Sequence, residues 1–183
     1  IVFNTVQKVA LADVDAIEME ATRIDVLAAG AADALSVVCD CRILADVERL
    51  KEAVYSKFGA CHLLMNNAAV QTNGQCSPYD HSERWRKIIE TNLMGVYHGG
   101  LAFVQRMIEQ DCPCVVVNTG SKQGITCPPG DAAYNVSKAG VKVLTEALQH
   151  SLRSQAGCKV NAFLLVPGFT ATKIITRGQK GSA

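Results

Sequence analysis

The chain has little net charge and lacks any long hydrophobic run. Its 183 residues include 18 Lys or Arg and 17 Asp or Glu, so the formal net charge is +1. A chain this close to neutral lacks the basic surface that attracts nucleic acids and acidic membranes. No apolar run approaches the ~20 residues that a membrane span requires. The sequence therefore predicts a soluble protein with neither a nucleic-acid nor a membrane partner.

The chain also lacks the residue spacing of structural metal sites. Cys39 and Cys41, and likewise Cys112 and Cys114, are separated by one residue rather than by the two that zinc sites favour. The four histidines show no metal spacing with one another. Three cysteines lie in or beside apolar runs, where a free thiol behaves as a small hydrophobe: Cys39, Cys61 and Cys158. We therefore expect buried, reduced thiols, no metal, and a reducing cytoplasmic location.

Apolar strand patterns alternate with helical patterns along the whole chain. The predicted strands cover residues 8–15, 34–40, 61–69, 114–121 and 158–168. The predicted helices cover residues 16–30, 46–58, 82–110 and 134–155. Continuous apolar strands predict burial on both faces, which is typical of a parallel sheet between two layers of helices. The expected fold is a single α/β domain, a Rossmann-like doubly wound parallel sheet in a three-layer α/β/α arrangement.

The segment from Ser121 to Lys138 carries the residues with the clearest chemistry. Tyr134 and Lys138 are four residues apart on a predicted helix and therefore share one face. An ammonium group beside a phenol favours the phenolate and lowers the tyrosine pKa from about 10. Ser121 stands thirteen residues before Tyr134, at the end of a predicted strand. Ser, Tyr and Lys at these spacings resemble the short-chain dehydrogenase/reductase family.

The resemblance implies a role for four catalytic residues. Ser121 would hydrogen-bond the substrate oxygen as charge develops on it. Tyr134 would supply or take the proton, and Lys138 would lower the tyrosine pKa and reach the ribose of the nicotinamide. Asn92, in the middle of the predicted helix 82–110, would mark a helix distortion and hold a water that relays protons from the lysine.

Cofactor residues are expected where the predicted strands end, because ligands of such folds bind at the carboxyl edge of the sheet. Asp13 can accept both hydroxyls of an adenosine ribose and repels a 2′-phosphate. Since neither Lys nor Arg follows it directly, NAD is favoured and NADP is the less favoured cofactor. The resemblance places Asp40 near the adenine edge.

Two further stretches resemble cofactor motifs of the family. Asn66-Asn67-Ala68-Ala69 is similar to Asn-Asn-Ala-Gly and departs from it only at the last position. In the family the Asn side chains steady the sheet, and small residues let the cofactor approach the backbone. The stretch from Pro167 and Gly168 to Thr172 is similar to Pro-Gly-x-x-x-Thr, which would hold the carboxamide of the nicotinamide.

The chain departs from the family pattern at both ends. The family begins with a strand, a glycine-rich turn and a helix that receives the pyrophosphate, but residues 1–7 contain no glycine. The sequence also stops soon after Thr172. We therefore expect a longer natural chain. A sheet that lacks a central strand would leave two neighbouring strands with unpaired edges.

The function that the resemblance implies is the NAD-dependent interconversion of a small secondary alcohol and a ketone by hydride transfer. It also implies a homodimer or homotetramer formed through helix 82–110 and the Tyr134 helix. Two alternatives remain open. One is a non-catalytic scaffold that has lost cofactor binding. The other is an NADP-dependent reductase, or a dehydratase or epimerase that acts on a nucleotide sugar.

Overall fold

The structure is a computed structural model that describes residues 7–71, 76–79 and 83–168. Strands and helices alternate in it, as the sequence predicts. The elements are β1 (Lys8–Asp13), α1 (Ala16–Ala28), β2 (Asp33–Val38), α2 (Leu44–Phe58), β3 (Leu63–Asn66), α3 (Glu83–Ile89), a π-helical turn (Glu90–Met94), α4 (Gly95–Glu109), β4 (Cys114–Thr119), α5 (Gln123–Thr126), α6 (Ala132–Ser154) and β5 (Val160–Leu165).

The predicted elements are found, but their boundaries and two details differ. Each strand is shorter than predicted, and β3 and β5 are shortened at both ends, to Leu63–Asn66 and Val160–Leu165. The single helix predicted over residues 82–110 contains a π-helical turn between α3 and α4. The sequence pattern did not predict α5, which has only four residues and therefore no apolar period.

The strands are parallel, which confirms a Rossmann-like α/β fold, but they form two sheets instead of one. One sheet has the order β1-β2 and the other has the order β3-β4-β5. Among the described residues, β1 pairs only with β2 and β3 pairs only with β4. A cavity of about 770 Å³ is lined by Ala12 and Asp13 from β1 and by Leu64 and Met65 from β3. The two unpaired strand edges therefore border a shared space.

The expected burial of both sheet faces is wrong for β3 and β5 within the described part of the chain. Leu63 and Met65 on β3 are 59% and 49% exposed, and Phe163 on β5 is 54% exposed. Val116 and Ala162, on neighbouring positions of β4 and β5, are buried. Successive strand residues point to opposite faces. The described helices therefore cover one face of this sheet, and its other apolar face stays exposed.

The main hydrophobic core joins α4 and α6 to β4. Phe103 and Met107 are four residues apart on α4, so they share one face, and both are buried. They belong to one cluster with Val116 of β4 and Leu152 of α6. Burial of one such side chain stabilises a fold by about 1.5–3 kcal/mol. This packing holds the end of β4 and the start of α6 in place.

Helix α6 begins where Asp131 caps it. The Asp131 carboxylate accepts a hydrogen bond from the backbone N–H of Tyr134 at 3.4 Å, and a cap of this kind stabilises a helix by about 1 kcal/mol. Tyr134 therefore lies in the first turn, and Lys138 lies one turn later. Of the helices that the structure describes, none is both long and apolar enough to cross a membrane.

Two adjacent glycines of α4 give a matched test of packing against β3. A Cβ atom at Gly99 would lie 2.0 Å from Oδ1 of Asn66, whereas a Cβ atom at Gly100 would meet nothing within 4 Å. Gly99→Ala should displace the Asn66 side chain from its 2.8 Å hydrogen bond to Asn118 and lower the free energy of unfolding by about 1–3 kcal/mol. Gly100→Ala should raise it by up to about 1 kcal/mol through helix propensity.

The measurement is urea unfolding of both variants beside the parent protein, followed by circular dichroism. Equal changes of stability in the two variants would contradict the close approach of α4 to Asn66.

Candidate active site

Asn92 lies in the π-helical turn, where the resemblance predicts a helix distortion. Its side chain is fully buried. The Asn92 carboxamide accepts a hydrogen bond from the backbone N–H of Val70 at 2.8 Å and donates one to the Val70 carbonyl at 2.9 Å. It also donates to Oγ of Ser137 at 3.2 Å. Asn92 therefore fixes both the segment after β3 and helix α6.

Ser121 and Tyr134 come together at the carboxyl end of β4. The Ser121 hydroxyl, just beyond β4, accepts a hydrogen bond from the backbone N–H of Gln123 at 3.2 Å. Tyr134 is 8% exposed. Burial raises the pKa of Tyr134, and the neighbouring Ser121 side chain opposes the increase. The serine and tyrosine that the sequence singles out therefore lie close together.

Lys138 is buried, and its charge faces a backbone carbonyl. The Lys138 residue is 2% exposed, and its ammonium group donates a hydrogen bond to the Thr119 carbonyl at 2.7 Å. Burial lowers the pKa of Lys138 to about 8. The Nζ atom lies 5.7 Å from the centroid of the Tyr134 ring, a distance at which a cation is attracted to the face of an aromatic ring.

The expected lowering of the Tyr134 pKa by Lys138 is not found. The pKa of Tyr134 is raised, and burial is the largest cause of the shift. The Lys138 ammonium is hydrogen-bonded to Thr119, and burial favours the neutral phenol. At neutral pH the tyrosine is therefore protonated in this structure.

A buried chain of hydrogen bonds, which the sequence analysis missed, joins β3, β4 and α6. Asn66 Nδ2 donates to Asn118 Oδ1 at 2.8 Å, and Asn118 Nδ2 donates to Thr145 Oγ1 at 3.0 Å. The Thr145 hydroxyl in turn donates to the Val141 carbonyl at 2.6 Å. The sequence signal was a polar residue within an apolar pattern, at Asn118 in β4 and at Thr145 in α6. This chain fixes the register of α6 against the strand that leads to Ser121.

The predicted cofactor residues form a second group, beside the catalytic one. The cavity of about 770 Å³ between the sheets is lined at its polar end by five of them: Asp13, Asp40, Asn66, Asn67 and Ala68. The Thr119 hydroxyl donates a hydrogen bond to Asn67 Oδ1 at 3.0 Å. Since the backbone carbonyl of Thr119 accepts the hydrogen bond from Lys138, Thr119 links the two groups.

The third predicted cofactor stretch is described only in part. Pro167 and Gly168 follow β5, whose end pairs with the end of β4, since Thr119 is the partner of Leu165. They therefore lie at the same edge as the catalytic residues. Thr172 lies outside the described residues.

The two carboxylates at the edge of the sheets have different surroundings. Asp40 accepts hydrogen bonds from the Arg42 guanidinium on both oxygens, and this contact lowers the pKa of Asp40. Asp13 accepts a 2.9 Å bond from the backbone N–H of Asp15, and no ion pair of the described residues includes Asp13. Asp13 lines the cavity without an ion-pair partner among these residues, although Arg42, Arg84 and Lys87 line the same cavity.

The residues present fit the two ends of a nicotinamide dinucleotide. Asp13 suits the hydroxyls of an adenosine ribose, and the buried ammonium of Lys138 suits those of a second ribose. The small side chains of Ala68 and Ala69 line the same cavity as Asp13 and permit close approach of a ligand to the backbone. The described residues include no glycine-rich turn before a helix, so the part of the site that would hold a pyrophosphate is not among them.

The cysteines are free thiols, but not all of them are buried. Three are buried, namely Cys39, Cys76 and Cys114, and four are partly exposed, namely Cys41, Cys61, Cys112 and Cys158. Cys127 is exposed, which corrects the expectation of uniformly buried thiols. Cys127 is the C-terminal cap of α5, with a left-handed backbone φ of 46°, and it belongs to neither hydrophobic cluster of the described residues. In the described part of the chain, no three potential ligands form a metal-binding group.

The buried ammonium of Lys138 should make stability depend on pH. The folded-state pKa of about 8 lies below the ordinary value of 10.5, so the folded state loses this proton first and gains stability as pH rises between these values. Raising the pH from about 7 to about 9.5 should stabilise the parent protein by about 2 kcal/mol relative to Lys138→Met.

The measurement is urea unfolding at both pH values, with Lys142→Met as the control, because Lys142 is a 41% exposed lysine on the same helix. A stability difference between the parent and Lys138→Met that does not change with pH would show that the ammonium is not desolvated.

Comparison with known proteins points to the same family that the sequence motifs resemble. The short chain dehydrogenase family model matches residues 4–182. The 3beta-hydroxysteroid dehydrogenase 1 of Eggerthella lenta is 33% identical over 130 residues, which are 70% of this chain and 48% of that protein. The chain thus spans about half the length of the curated relatives it matches.

Solved structures show the same likeness. A short chain dehydrogenase/reductase from Burkholderia phymatum, in complex with NAD, is 37% identical with a TM-score of 0.87, and the match covers 95% of this chain and 60% of that one. A metagenomic short-chain oxidoreductase in complex with NADP is 28% identical with a TM-score of 0.79, covering 89% and 72% respectively. On the family match, the shared fold and these identities, the chain belongs to the short-chain dehydrogenase/reductase family.

Proposed function

We propose that this protein is an NAD-dependent oxidoreductase that interconverts a small secondary alcohol and a ketone. The observation that carries the proposal is the buried group of Ser121, Tyr134 and Lys138 at the carboxyl end of β4. The Ser121 side chain is close enough to Tyr134 to act on its pKa, and the ammonium of Lys138 lies over the tyrosine ring. A serine, a phenol and a cation at this edge suit proton transfer to an oxygen whose charge changes during the reaction.

Tyr134 is the proposed acid and base. A nicotinamide supplies or accepts the hydride when it is bound. In the reducing direction, the Tyr134 phenol gives its proton to the substrate oxygen, while the Ser121 hydroxyl hydrogen-bonds that oxygen and orients it. Burial keeps the phenol protonated at neutral pH because it raises the pKa of Tyr134. The free site is therefore prepared for proton donation.

Lys138 and Asn92 support the phenolate that this step leaves behind. The ammonium, 5.7 Å from the ring centroid, stabilises the negative charge on Tyr134. With a pKa of about 8, Lys138 can itself release and regain a proton near neutral pH. We assign to Asn92 the positioning of a proton-relaying water. Its buried carboxamide, which is bonded to Val70 and Ser137, holds a fixed orientation for that purpose.

NAD is the proposed cofactor because of the charges at the far end of the cavity. The Asp13 carboxylate would bind the ribose hydroxyls and repel a 2′-phosphate. Arg42, two residues after Asp40, already donates to both oxygens of that carboxylate, so its charge is balanced. A similar metagenomic oxidoreductase is in complex with NADP, so NADP is the second candidate.

A homodimer or homotetramer is the proposed assembly, and the cytoplasm is the proposed location. Apolar side chains remain exposed on α4 and α6, where Leu101, Val136 and Val143 are 51%, 51% and 63% exposed. A second copy that covers these helices would bury this surface. The free thiols are consistent with a reducing compartment.

Cofactor binding is tested by titrating the intact protein with NADH and, separately, with NADPH while the nicotinamide fluorescence is followed. NADH should bind at least about tenfold more tightly than NADPH, because a 2′-phosphate would meet the Asp13 carboxylate. Asp13→Asn should reduce this preference. If neither dinucleotide binds at millimolar concentration, the chain is a non-catalytic scaffold and the proposal fails.

Proton transfer is tested with Tyr134→Phe, which keeps the ring and removes only the acid. Turnover of an alcohol or ketone substrate, found by screening the intact protein, should fall by at least about 10²-fold, while NADH affinity stays within a factor of about two. Tyr79→Phe is the control, since Tyr79 is 89% exposed and should keep full activity. Normal turnover in Tyr134→Phe would show that another residue moves the proton.

A further inference from the structure

Cys112 and Cys114 form a pair of adjacent thiols between α4 and β4. Their sulfur atoms are 3.8 Å apart. Residues two apart in an extended segment project to the same side, and the exposed Pro113 separates them on the outer side of the chain. The pair lies at the amino end of β4. Thr119 is the last residue of this strand, and Ser121 follows its carboxyl end. These thiols are therefore separate from the proposed active site.

One glutamine side chain contacts both sulfur atoms and holds the turn between α4 and β4 in place. The Gln110 amide nitrogen lies 3.2 Å from Sγ of Cys114 and 3.6 Å from Sγ of Cys112. It also donates to the Cys61 carbonyl at 3.1 Å, and its oxygen accepts bonds from the Cys61 N–H at 2.9 Å and the Tyr55 hydroxyl at 2.5 Å. The two thiols therefore lie in a defined polar setting rather than at a random surface position.

The two thiols differ in accessibility and in freedom to move. Cys114 is 1% exposed, and its backbone N–H donates to the Lys159 carbonyl at 3.2 Å at the start of β4. Cys112 is partly exposed and follows Asp111, whose φ of 50° turns the chain. An oxidant from solvent therefore reaches Cys112, and Cys114 stands behind it as a fixed second thiol.

We propose that Cys112 and Cys114 are a redox modification site, in which a hydroperoxide oxidises the two thiols to an intramolecular disulfide. The Cys112 sulfur attacks the peroxide oxygen, the O–O bond breaks, and an alcohol or water leaves with a sulfenic acid formed on Cys112. The Cys114 sulfur then attacks the sulfenic sulfur and water leaves. In total, two thiols lose two electrons and two protons, and one hydroperoxide becomes an alcohol and a water.

The geometry supports disulfide closure with a small local movement. The sulfur atoms must approach from 3.8 Å to about 2.05 Å. Alpha carbons two residues apart are separated by at most about 7 Å, close to the upper limit that a disulfide spans. Since Cys114 is held by the sheet, the movement falls on Cys112 in the turn.

The second pair of cysteines with the same spacing lacks these features. The Cys41 sulfur contacts the Thr91 carbonyl at 3.7 Å, and no sulfur–sulfur contact joins it to Cys39 in the described structure. The partly exposed Cys41 sulfur therefore has no second sulfur in contact with it, unlike that of Cys112. Cys39 and Cys41 therefore serve as an internal control.

The experiment exposes the intact, reduced protein to hydrogen peroxide, blocks the remaining thiols by alkylation and maps tryptic peptides by mass spectrometry. Cleavage after Arg106 and Lys122 releases one peptide that holds both thiols. We expect this peptide to lose two hydrogens, to resist alkylation and to recover both thiols with dithiothreitol. The peptide with Cys39 and Cys41 should be alkylated at both positions.

Two variants make the outcome decisive. In Cys114→Ser the Cys112 sulfenic acid has no partner and should advance to sulfinic acid, which dithiothreitol does not reverse. In Cys112→Ser the buried Cys114 should remain reduced. The parent protein should also bind phenylarsine oxide, a reagent for paired thiols, and both variants should lose this binding. Sulfinic acid on Cys112 of the parent protein, or oxidation confined to the exposed Cys127, would overturn the proposal.

Discussion

The hydrogen bond from the Lys138 ammonium to the Thr119 carbonyl is the contact on which the arrangement of the site depends. It places a charged group inside the protein, at a cost that appears as the lowered lysine pKa. A buried cation needs a fixed acceptor, so β4 must end at one register relative to α6. The hydrogen bonds of Asn118 and Thr145 and the core around Phe103 maintain that register.

Much of the fold follows from short-range patterns in the sequence. Apolar periods of two and 3.6 residues predict the alternation of strands and helices, and the i,i+4 spacing brings Tyr134 and Lys138 to one helix face. Asn92 could be assigned to a helix distortion only through the family resemblance, because one polar residue does not reveal a π-helical turn. The expectation that two neighbouring strands have unpaired edges came from the family resemblance and not from a local pattern, and the two sheets agree with it.

The proposed catalytic residues could be proposed individually from the sequence, but their electrostatics could not. The i,i+4 spacing suggested that Lys138 would lower the pKa of Tyr134. The direction of the lysine side chain and the burial of the tyrosine decide whether that pKa rises or falls. In the folded chain the ammonium is bonded to Thr119, and desolvation dominates both titrating groups. Asn118 and Thr145 were missed because each is a single polar residue within an apolar pattern, and only the packing shows that they meet.

The cavity between β1 and β3 also leaves the two sheets joined by helix packing rather than by strand pairing, since Val47 and Val54 of α2 share a core with Phe103 of α4. The aspartates that suit an adenosine belong to one sheet and the proton-transfer residues to the other, and no described strand pair joins them. Side-chain contacts such as that of His98 with the Cys41 carbonyl, at 2.8 Å, connect the two parts. Such contacts open at lower cost than a strand ladder. A ligand that contacts both parts would therefore stabilise them against moving apart, and amide hydrogen exchange would slow in both parts together.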